Sequence, residues 1–341
     1  MVDNGVEISV KGKWVRVPGL SASGVTVVIR ERLPKTAVVH DEQFLETELR
    51  DPELCVRELK AQRSPELRAD IFTFCQKLPD TVPRYKYPME WDSVAVVRSD
   101  NFEDWWKKLP QEARKNVRRS QKRGVVVCVK QFGEALISEI GHVNDDSPLM
   151  QGKPNAHYGK SADQLRRDYS SFLDRCDFIV AYLGNEAIGF LKLVYRGQVA
   201  SILNLTTKPS HYDKRPGNAL IAKAVELCAA RGISYVTYGM FNYGNKRDSP
   251  LREFKIRNGF EEMLIPRYYV PLTTWGKLCI LLKLHRGLLG ILPQNVIMMF
   301  VNLRAKWYDL KKRMSRCSLM SERSNCNRQM GRSNPPAGSN V

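Results

Sequence analysis

The sequence predicts a mixed α/β fold with a mostly antiparallel sheet flanked by helices, and two observations predict it. First, the run FIVAYLGNEAIGFLKLVYRGQVASILNLTT at residues 178–207 has three apolar segments joined at 183–185 and 196–197, which is typical of an antiparallel meander. Second, helices and single strands alternate around this run from about residue 85 to about residue 272. A doubly wound fold is excluded, because its strands would alternate singly with helices.

Composition restricts the class of protein and its partners. The 341 residues suffice for one large domain or two modest ones, and 43% hydrophobic with 26% charged residues are typical of a globular protein. The net charge of +18 predicts an anionic partner such as RNA, a phosphorylated cofactor or an anionic membrane surface, unless it reflects a basic tail and scattered solvated lysines. The eight cysteines form no CxxC pair, so we expect no disulfide framework, no metal and a reducing cytoplasm.

The chain divides into four predicted segments. Residues 1–84 form a β-rich and partly helical extension, residues 85–272 the main α/β domain, residues 273–315 basic and apolar helices, and residues 316–341 a disordered, Ser/Asn/Arg/Pro-rich tail. The apolar stretch 275–303 is interrupted by lysines, a proline and other polar residues, so we expect a helical pair or an interfacial helix rather than a membrane span. The N-terminal sequence MVDNGVEISVKGKW contains no signal-peptide pattern.

The first segment predicts short β-like runs followed by one helix. The β-like runs lie at 6–17 and 25–30, and an acidic amphipathic pattern predicts a helix over 41–62. The alternating aromatic residues of ADIFTFCQ, at 69–76, predict a strand or a short helix.

Helix start and stop signals set the elements of the main domain before the meander. Pro110 stands at the first turn of a predicted helix and Gly124 just past its end, and Ser161 is a candidate cap of another helix. In chain order, the predicted elements are a strand at 92–99, a helix at 110–124, a strand at 125–132, and helices at 133–144 and 161–176.

A basic, glycine-containing loop begins the helix that follows the meander. In KRPGNALIAKAVELCAARG, starting at Lys214, the apolar spacing from Leu220 predicts one buried helix face, and Gly232 ends the helix. Small residues at a helix start let a ligand approach the backbone, while the free N–H groups and the dipole favour an anion. Together with Lys214 and Arg215 this suits a pyrophosphate, although many surface helices that begin in this way bind nothing.

This loop helix also resembles that of the GCN5-related acetyltransferase (GNAT) superfamily. The family pattern is Gln/Arg-x-x-Gly-x-Gly/Ala; Gly217 and Ala219 match it, whereas Lys214 replaces Gln/Arg. The stretch SPLREFKIRNGFEEMLIPRYYV, at 249–270, resembles the last helix and strands of that fold.

Two further stretches resemble the FemAB-like branch of the superfamily, the peptidoglycan-bridge aminoacyltransferases and their acyltransferase relatives. WWKKLPQEARKNVRRSQKRGVVV, at 105–127, is similar to the Leu…Arg-x-x-x-Arg-x-x-x-x-x-Gly start of that branch. Phe254 and Lys255 resemble its Phe-Lys pair near the last helix. The resemblance covers about residues 90 to 270.

The resemblance implies a GNAT acyl-CoA N-acyltransferase fold with acyl-CoA, for example acetyl-CoA, as co-substrate. The acyl-CoA would lie in a V-shaped split between two parallel strands, with its pyrophosphate on the loop. The implied donor-binding residues lie at the end of the strand before the loop and on the loop itself: Asn204, Leu205, Thr206, Lys214, Arg215, Gly217, Asn218 and Ala219.

The candidate catalytic residues are Lys255, His211 and Tyr238. In many GNAT enzymes a tyrosine at the position of Lys255 protonates the leaving thiolate. The FemAB-like resemblance instead implies that Lys255 is a substrate-anchoring or oxyanion-stabilising cation. A solvated helix lysine is the alternative. His211 precedes the loop and titrates in the useful range, unless it is only a capped or exposed histidine. Tyr238, Asn242, Tyr243 and Asn245 form either an acceptor wall or an aromatic-rich turn. No general base stands out.

The predicted helix at 110–124 is strongly basic. Its arginines and lysines recur at i, i+4 and i+8, where like charges destabilise a bare helix, so an anionic partner would explain them. Arg118 is the candidate substrate-binding residue on this helix. The partner would be tRNA phosphate or an anionic acceptor, and a solvated charged face is the alternative. The helical-hairpin insertion that FemAB enzymes use for tRNA is not recognisable in the sequence.

The sequence therefore predicts a cytoplasmic N-acyltransferase that moves an acyl group other than an aminoacyl group from acyl-CoA to an amine. Two alternatives stay open: an aminoacyl-tRNA-dependent FemAB-type transferase, and a non-catalytic GNAT-fold scaffold at a membrane or polysaccharide-synthesis complex. Peripheral contact with the inner face of the membrane would run through residues 275–316. We expect no DNA partner.

Overall fold

A computed structural model gives the structure of the protein. It describes residues 5–10, 12–31, 33–45, 48–150, 153–242, 249–287 and 299. Met1–Ile291 form one compact unit, and the description below concerns the described residues of that unit. The second unit, Leu292–Val341, lies outside the described residues apart from Met299.

The described strands number fourteen, twelve of them in one sheet. In chain order they are β1 Gly5–Val10, β2 Lys13–Ala22, β3 Val25–Arg30, β4 Thr36–Val39, β5 Ile71–Cys75, β6 Met89–Arg98, β7 Val125–Lys130, β8 Leu149–Met150, β9 Lys153–Pro154, β10 Cys176–Leu183, β11 Glu186–Arg196, β12 Val199–Thr207, β13 Tyr235–Met240 and β14 Glu261–Pro271. Strands β8 and β9 form a separate two-stranded ribbon.

The helices pack on the two faces of the large sheet. The described α-helices are α1 Pro52–Lys60, α2 Phe102–Lys108, α3 Gln111–Lys122, α4 Glu134–Asn144, α5 Ala162–Tyr169, α6 Pro216–Ala230, α7 Pro250–Arg257 and α8 Thr274–Leu281. The predicted mixed α/β fold with a mostly antiparallel sheet is confirmed, since only the β4–β5 and β12–β13 pairs of that sheet are parallel.

The sheet consists of two halves with the same order of pairing. Its strands follow the order β1-β2-β3-β4-β5-β14-β6-β13-β12-β11-β10-β7. In the first half, the antiparallel strands β2, β3 and β4 are followed by helix α1 and by β5, which is parallel to β4. In the second half, the antiparallel strands β10, β11 and β12 are followed by helix α6 and by β13, which is parallel to β12. Strands β14 and β6 cross between the halves and pair with each other at the centre.

Buried side chains place the helices on the sheet. One core lies between helices α2, α3 and α6 and strands that include β11, β12 and β13, with Leu220, Val225 and Val236 completely buried. A second core joins α4 and α5 to the opposite face of β10 and β11, and a third packs α1 against the N-terminal half of the sheet. Helix α6 thus packs against the β12–β13 pair and the strands next to it.

Three predicted elements are corrected by the structure. The run 6–17 is a hairpin of β1 and β2, because Gly12 takes a positive φ of 77° at the turn. The helix predicted over 41–62 is a 3-10 turn, Glu42–Phe44, and the separate helix α1, which begins at Pro52 with the Asp51 side chain as cap. The helix predicted over 161–176 has the expected Ser161 cap but ends at Tyr169.

The apolar stretch after residue 273 begins with α8 and a 3-10 turn, Leu284–Arg286, and its remainder lies outside the described residues. In the described part of the chain, no helix has the length and apolar character needed to cross a membrane. The division at residue 84 stays a prediction, and the sheet continues through both segments.

Candidate active site

The parallel strands β12 and β13 are paired only at their N-terminal ends. Their ladder comprises three pairs, from Val199 with Tyr235 to Ser201 with Thr237. Beyond the ladder both strands are irregular. The register of β12 against β11 shifts between Ile202 and Asn204, and that of β13 against β6 shifts between Thr237 and Met240. Such bulges locally disrupt a ladder and re-aim side chains, and they are frequent next to active sites.

Helix α6 begins at this opening with an unusual backbone. Arg215 adopts the left-handed conformation, with φ 59° and ψ 39°, directly before Pro216. The carbonyl oxygen of Arg215 accepts hydrogen bonds from the backbone N–H of Asn218, at 3.2 Å, and of Ala219, at 3.5 Å. No side chain caps the helix. The side-chain amide N–H of Asn218 donates a hydrogen bond to the side-chain oxygen of Asn258 at 2.8 Å. This bond ties α6 to the end of α7.

Gly217 lies in the wall of the opening, between β12 and α7. A Cβ atom at this position would lie 3.4 Å from the Cζ atom of Phe254 and 3.8 Å from the Cγ2 atom of Thr207, which are ordinary van der Waals contacts. A longer side chain at this position would occupy the space beside the start of α6 that glycine leaves open.

A cleft with a volume of about 660 Å³ occupies the opening. This volume lies within the range of small-molecule and cofactor sites, which is about 300–1,000 Å³. The cleft is lined by residues from α3, the β8 ribbon, β12, β13, the loop before α6, and α7: Pro110, Glu112, Ala113, Asn116, Met150, Leu205, Thr207, Tyr212, Arg215, Pro216, Gly217, Asn218, Tyr238, Leu251, Phe254, Arg257 and Asn258.

Lys255 is completely buried beside this cleft. Its Nζ atom donates to the carbonyl oxygen of Met240 at 2.7 Å and lies 4.7 Å from the centre of the Tyr238 ring. Burial lowers the pKa of Lys255 to about 8, because an ammonium group loses its hydration in the interior. The alternative interpretation of Lys255 as a solvated helix lysine is therefore wrong.

Tyr238 and Lys255 are brought together, whereas His211 lies elsewhere. Tyr238 is part of the cleft wall. His211 does not line the cleft; its Nδ1 atom lies 2.9 Å from the hydroxyl of Ser210, and its Nε2 atom 3.7 Å from a carboxylate oxygen of Glu186. The structure thus separates one of the three candidate catalytic residues from the other two.

The two cations of the loop are also separated. Arg215 lines the cleft, while the ammonium of Lys214 pairs with the carboxylate of Asp213 at 3.0 Å. Asp213 also accepts a hydrogen bond from the guanidinium of Arg123 on the turn after α3, and these cations lower the pKa of its carboxyl group. The loop is therefore fastened to the end of the basic helix by an exposed ion-pair network.

The remaining predicted site residues lie on β12, on α3 and in a stretch outside the described residues. Of the residues on β12, Leu205 lines the cleft, and neither Asn204 nor Thr206 contributes to the lining. Arg118 is exposed on the outer side of α3, with its guanidinium 5.7 Å from the centre of the Trp106 ring. It therefore does not reach the cleft. Tyr243 and Asn245 lie outside the described residues.

Several lining residues were not identified from the sequence. Glu112 and Asn116 project from α3 next to Ala113, which with Val117 marks the buried face of that helix. Their spacing on one helix face was the available signal. Asn258 had no comparable signal, because its bond to Asn218 depends on the tertiary contact between α6 and α7.

Comparisons with known proteins place a recognised domain at this cleft. Residues 108–247 match the family model described as "Acetyltransferase (GNAT) domain". The chain is 29% identical over 111 residues to "Acetyl transferase GW6a" from Oryza sativa subsp. japonica, a match that spans 33% of this chain and 23% of the length of the rice protein.

Two solved structures share the fold over most of the chain. FemX aligns with a TM-score of 0.52 and 10% identity, covering 82% of this chain and 91% of FemX. The C-terminal domain (DUF2156) of a putative lysylphosphatidylglycerol synthetase from Agrobacterium fabrum aligns with a TM-score of 0.51 and 15% identity, covering 78% of this chain and 88% of that domain. Residues 108–247 thus match a GNAT-domain model, the chain has the fold of these solved structures, and the predicted resemblance is confirmed.

Proposed function

We propose that this GNAT-domain protein is an N-acyltransferase that moves an acyl group from acyl-CoA to an amine. The observation that carries the proposal is the cleft where the β12–β13 ladder ends. The start of α6 lies in its wall, and the buried Lys255 lies behind Tyr238, which lines the cleft. A pyrophosphate would lie at the start of α6, near Arg215 and Gly217, since helix N-termini favour anions. The pantetheine would follow the backbone of Asn204, Leu205 and Thr206.

The reaction proceeds by direct attack. The nitrogen of the amine forms a bond to the acyl carbon, the carbon–sulfur bond of the thioester breaks, the amine loses a proton and the thiolate gains one. The chain's own residues orient the two reactants and exclude water from the cleft, which accounts for much of the acceleration in such reactions.

Lys255 stabilises the negative charge that develops at the thioester. Its ammonium is completely buried beside the cleft and already oriented by the carbonyl of Met240. A preorganised cation in a site of low polarity stabilises a developing oxyanion more strongly than the same cation does in water.

An aminoacyl-tRNA donor is the second candidate, and the exposed cations of α3 favour it. Lys115, Arg118 and Lys122 are exposed on the helix that also supplies Glu112 and Asn116 to the cleft. Nucleic-acid binding through such cations depends steeply on salt. The two donors therefore differ in the way salt affects their binding.

Native mass spectrometry of the purified chain tests the choice of donor. We expect retained CoA or acyl-CoA and saturable binding of acetyl-CoA that changes little with added salt. Retained RNA with salt-sensitive tRNA binding would instead establish the second candidate. If neither class of molecule binds, both enzymatic proposals fail and the scaffold alternative stands.

The N-terminal half of the sheet is, in this proposal, a reduced second GNAT-like unit. The support is its matching order of elements, since β2–β3–β4, α1 and β5 repeat the arrangement of β10–β11–β12, α6 and β13. Helix α1 has nine residues where α6 has fifteen, so this half offers a shorter helix at the corresponding opening.

Peripheral membrane contact is proposed for α8. Gly276 packs so closely against the backbone of Asp70 that a Cβ atom there would lie 1.9 Å from the carbonyl oxygen of Asp70. This packing leaves Trp275, Leu278 and Leu281 exposed on the opposite side of the helix. Exposed lysines before and after these leucines complement an anionic bilayer.

Flotation with liposomes tests this surface. We expect the chain to float with vesicles that contain phosphatidylglycerol and not with phosphatidylcholine vesicles, and we expect the triple change Trp275→Ser, Leu278→Ser and Leu281→Ser to reduce the floating fraction. The control changes are Val126→Ser and Val129→Ser, which remove exposed apolar groups from strand β7. If the α8 variant floats as well as the unmodified chain, α8 is not the contact.

A further inference from the structure

Two adjoining cavities lie on the face of the sheet opposite α6. The smaller has a volume of about 100 Å³ and the larger about 510 Å³, and they share Glu42, Gln43, Asp92, Met240 and Arg267. Side chains alternate along β13, so Val236 and Tyr238 face the core beneath α6, while Thr237 faces the smaller cavity. The cavities and the donor cleft therefore lie on opposite sides of the same strand.

The smaller cavity begins where the β12–β13 ladder ends. Ser201 and Thr237, the last paired residues, both line it, and their hydroxyl oxygens lie 2.8 Å apart. Gly239, with no side chain, and Met240 continue the lining toward the end of β13. The carbonyl of Met240 is the group that holds Lys255. A molecule in this cavity would therefore approach the same end of β13 that the donor approaches from the other face.

The carboxylates in the shared part of the two cavities are already paired with a cation. Arg267 donates from Nε to Asp92 at 2.5 Å and from its Nη2 atom to Glu42 at 3.0 Å. The second oxygen of Glu42 accepts a hydrogen bond from the backbone N–H of Cys75 at 2.6 Å. Burial nevertheless raises the pKa of Glu42. These three charged groups satisfy one another and form the base of the site.

Arg196 is a second cation of the smaller cavity, and its environment differs from that of Arg267. It lines the smaller cavity from the end of β11, and its Nη1 atom is buried with no hydrogen-bond partner among the described residues. A buried polar atom without a partner destabilises the fold, and a charged one does so more strongly, so native proteins keep few of them. Lys77 lines the same cavity, and its ammonium donates to the carbonyl of Leu45 at 2.7 Å.

We propose that the smaller cavity anchors the acceptor through an anionic group held by Arg196, so that the acceptor is an amine that also carries a carboxylate or a phosphate. This inference rests on the proposed acyl transfer and names its acceptor class. A guanidinium matches the planar, two-oxygen geometry of a carboxylate or phosphate. The small volume accommodates one such group, and the adjoining groove accommodates the rest of the acceptor.

Anion binding is tested first, without any need for activity. Crystals soaked in selenate should show anomalous density beside Arg196 in the unmodified chain and none in the Arg196→Gln variant. Arg98→Gln is the control, since Arg98 is an exposed arginine on strand β6. Selenate density that is absent from the unmodified chain, or equal in the Arg196→Gln variant, overturns the proposal.

Acceptor kinetics are tested next, with acetyl-CoA as donor. The panel is glycine, 6-aminohexanoate and 2-aminoethylphosphonate against the neutral amines glycinamide and ethanolamine, so that carboxylate and phosphonate acceptors are also distinguished. Arg196→Gln should raise KM for the anionic acceptors by at least about thirtyfold, the lower end of the effect of removing one partner of a buried charge pair, while kcat and KM for acetyl-CoA stay unchanged. Equal use of neutral amines by the unmodified chain overturns the acceptor class. A chain that binds selenate but transfers acetyl to no amine contradicts both the acyl transfer and the acceptor role.

Discussion

Replacing Lys255 with methionine is expected to lower the turnover number by about two to three orders of magnitude, the usual effect of removing one group that stabilises an oxyanion. Lys255 is completely buried and its ammonium is fixed by the carbonyl of Met240 beside the cleft. Methionine fills a similar volume without charge, so the fold should persist. Steady-state kinetics with acetyl-CoA and an amine that the unmodified chain acetylates measure the effect.

The stability of this variant should change little, because two effects oppose each other. Burial lowers the folded-state pKa of Lys255 from 10.5 to about 8. The destabilisation by the buried charge is therefore at its full value below pH 8, and it disappears as the pH rises toward the unfolded-state pKa. Methionine removes that cost. It also leaves the carbonyl of Met240 without this donor, which costs about 1–3 kcal/mol. Thermal unfolding at pH 7 measures the sum.

Lys192 offers a matched control. It is also completely buried, burial lowers its pKa to about 8, and its ammonium donates to the carbonyl of Tyr169 at 2.7 Å. It lies in the core beneath α5 and not at the cleft. Lys192→Met should therefore alter stability and leave the turnover number of the folded protein near that of the unmodified chain. Equal losses of turnover in both variants would mean that Lys255 acts only through the fold.

The pH profile gives an independent measurement of the same role. Because the proposed function needs the protonated ammonium, kcat should fall above pH 8 as Lys255 loses its proton. Below that pH, kcat should rise with pH as the attacking amine loses its proton. Lys255→Arg should shift this fall to higher pH, since arginine stays charged. An unchanged alkaline limb in that variant would assign the titration to another group.

The meander was predictable because its information is local. Three apolar runs are separated by two turns, and each turn contains a glycine with positive φ, Gly184 at 59° and Gly197 at 51°. The helix predicted over 41–62 was wrong for a local reason that outweighed the apolar pattern. Proline has no N–H and is tolerated best at a helix start, so the helix begins at Pro52.

The candidate site was only partly predictable, because it is built from distant segments. The loop motif identified Gly217 and Arg215, both in the cleft wall. The position of Lys255 was taken from its motif, but its burial follows from the packing of α7 on β13 and could not be read from a window of sequence. Arg267 and Glu42 are separated by 225 residues, so their pairing left no local pattern. Arg118 lies outside the cleft, and the sequence could not show this because a basic helix does not reveal which of its faces meets the domain. Its role in binding a substrate stays a prediction.

Replacing Gly217 with glutamate is expected to weaken the binding of acetyl-CoA by about a hundredfold or more. The new side chain would start 3.4 Å from the ring of Phe254 and extend into the cleft at the start of α6. There it occupies space and opposes the negative charge of the donor. Gly133→Glu is the control, because Gly133 also stands at a helix start, has an extended φ of 177°, and has no atom within 4 Å of a Cβ placed there. Calorimetric titration with acetyl-CoA measures both variants.

The comparison of Gly217→Glu with Gly217→Gln separates the two effects of the glutamate. The two side chains have nearly the same volume, so a purely steric obstruction weakens acetyl-CoA binding equally in both. If the pyrophosphate lies at the start of α6, the carboxylate adds repulsion of about 1–3 kcal/mol at a partly screened site, which is a further loss of about fivefold to 150-fold. That additional loss should shrink as salt is added. Equal binding by the two variants would show that the phosphates lie elsewhere in the cleft, even if acetyl-CoA is the donor.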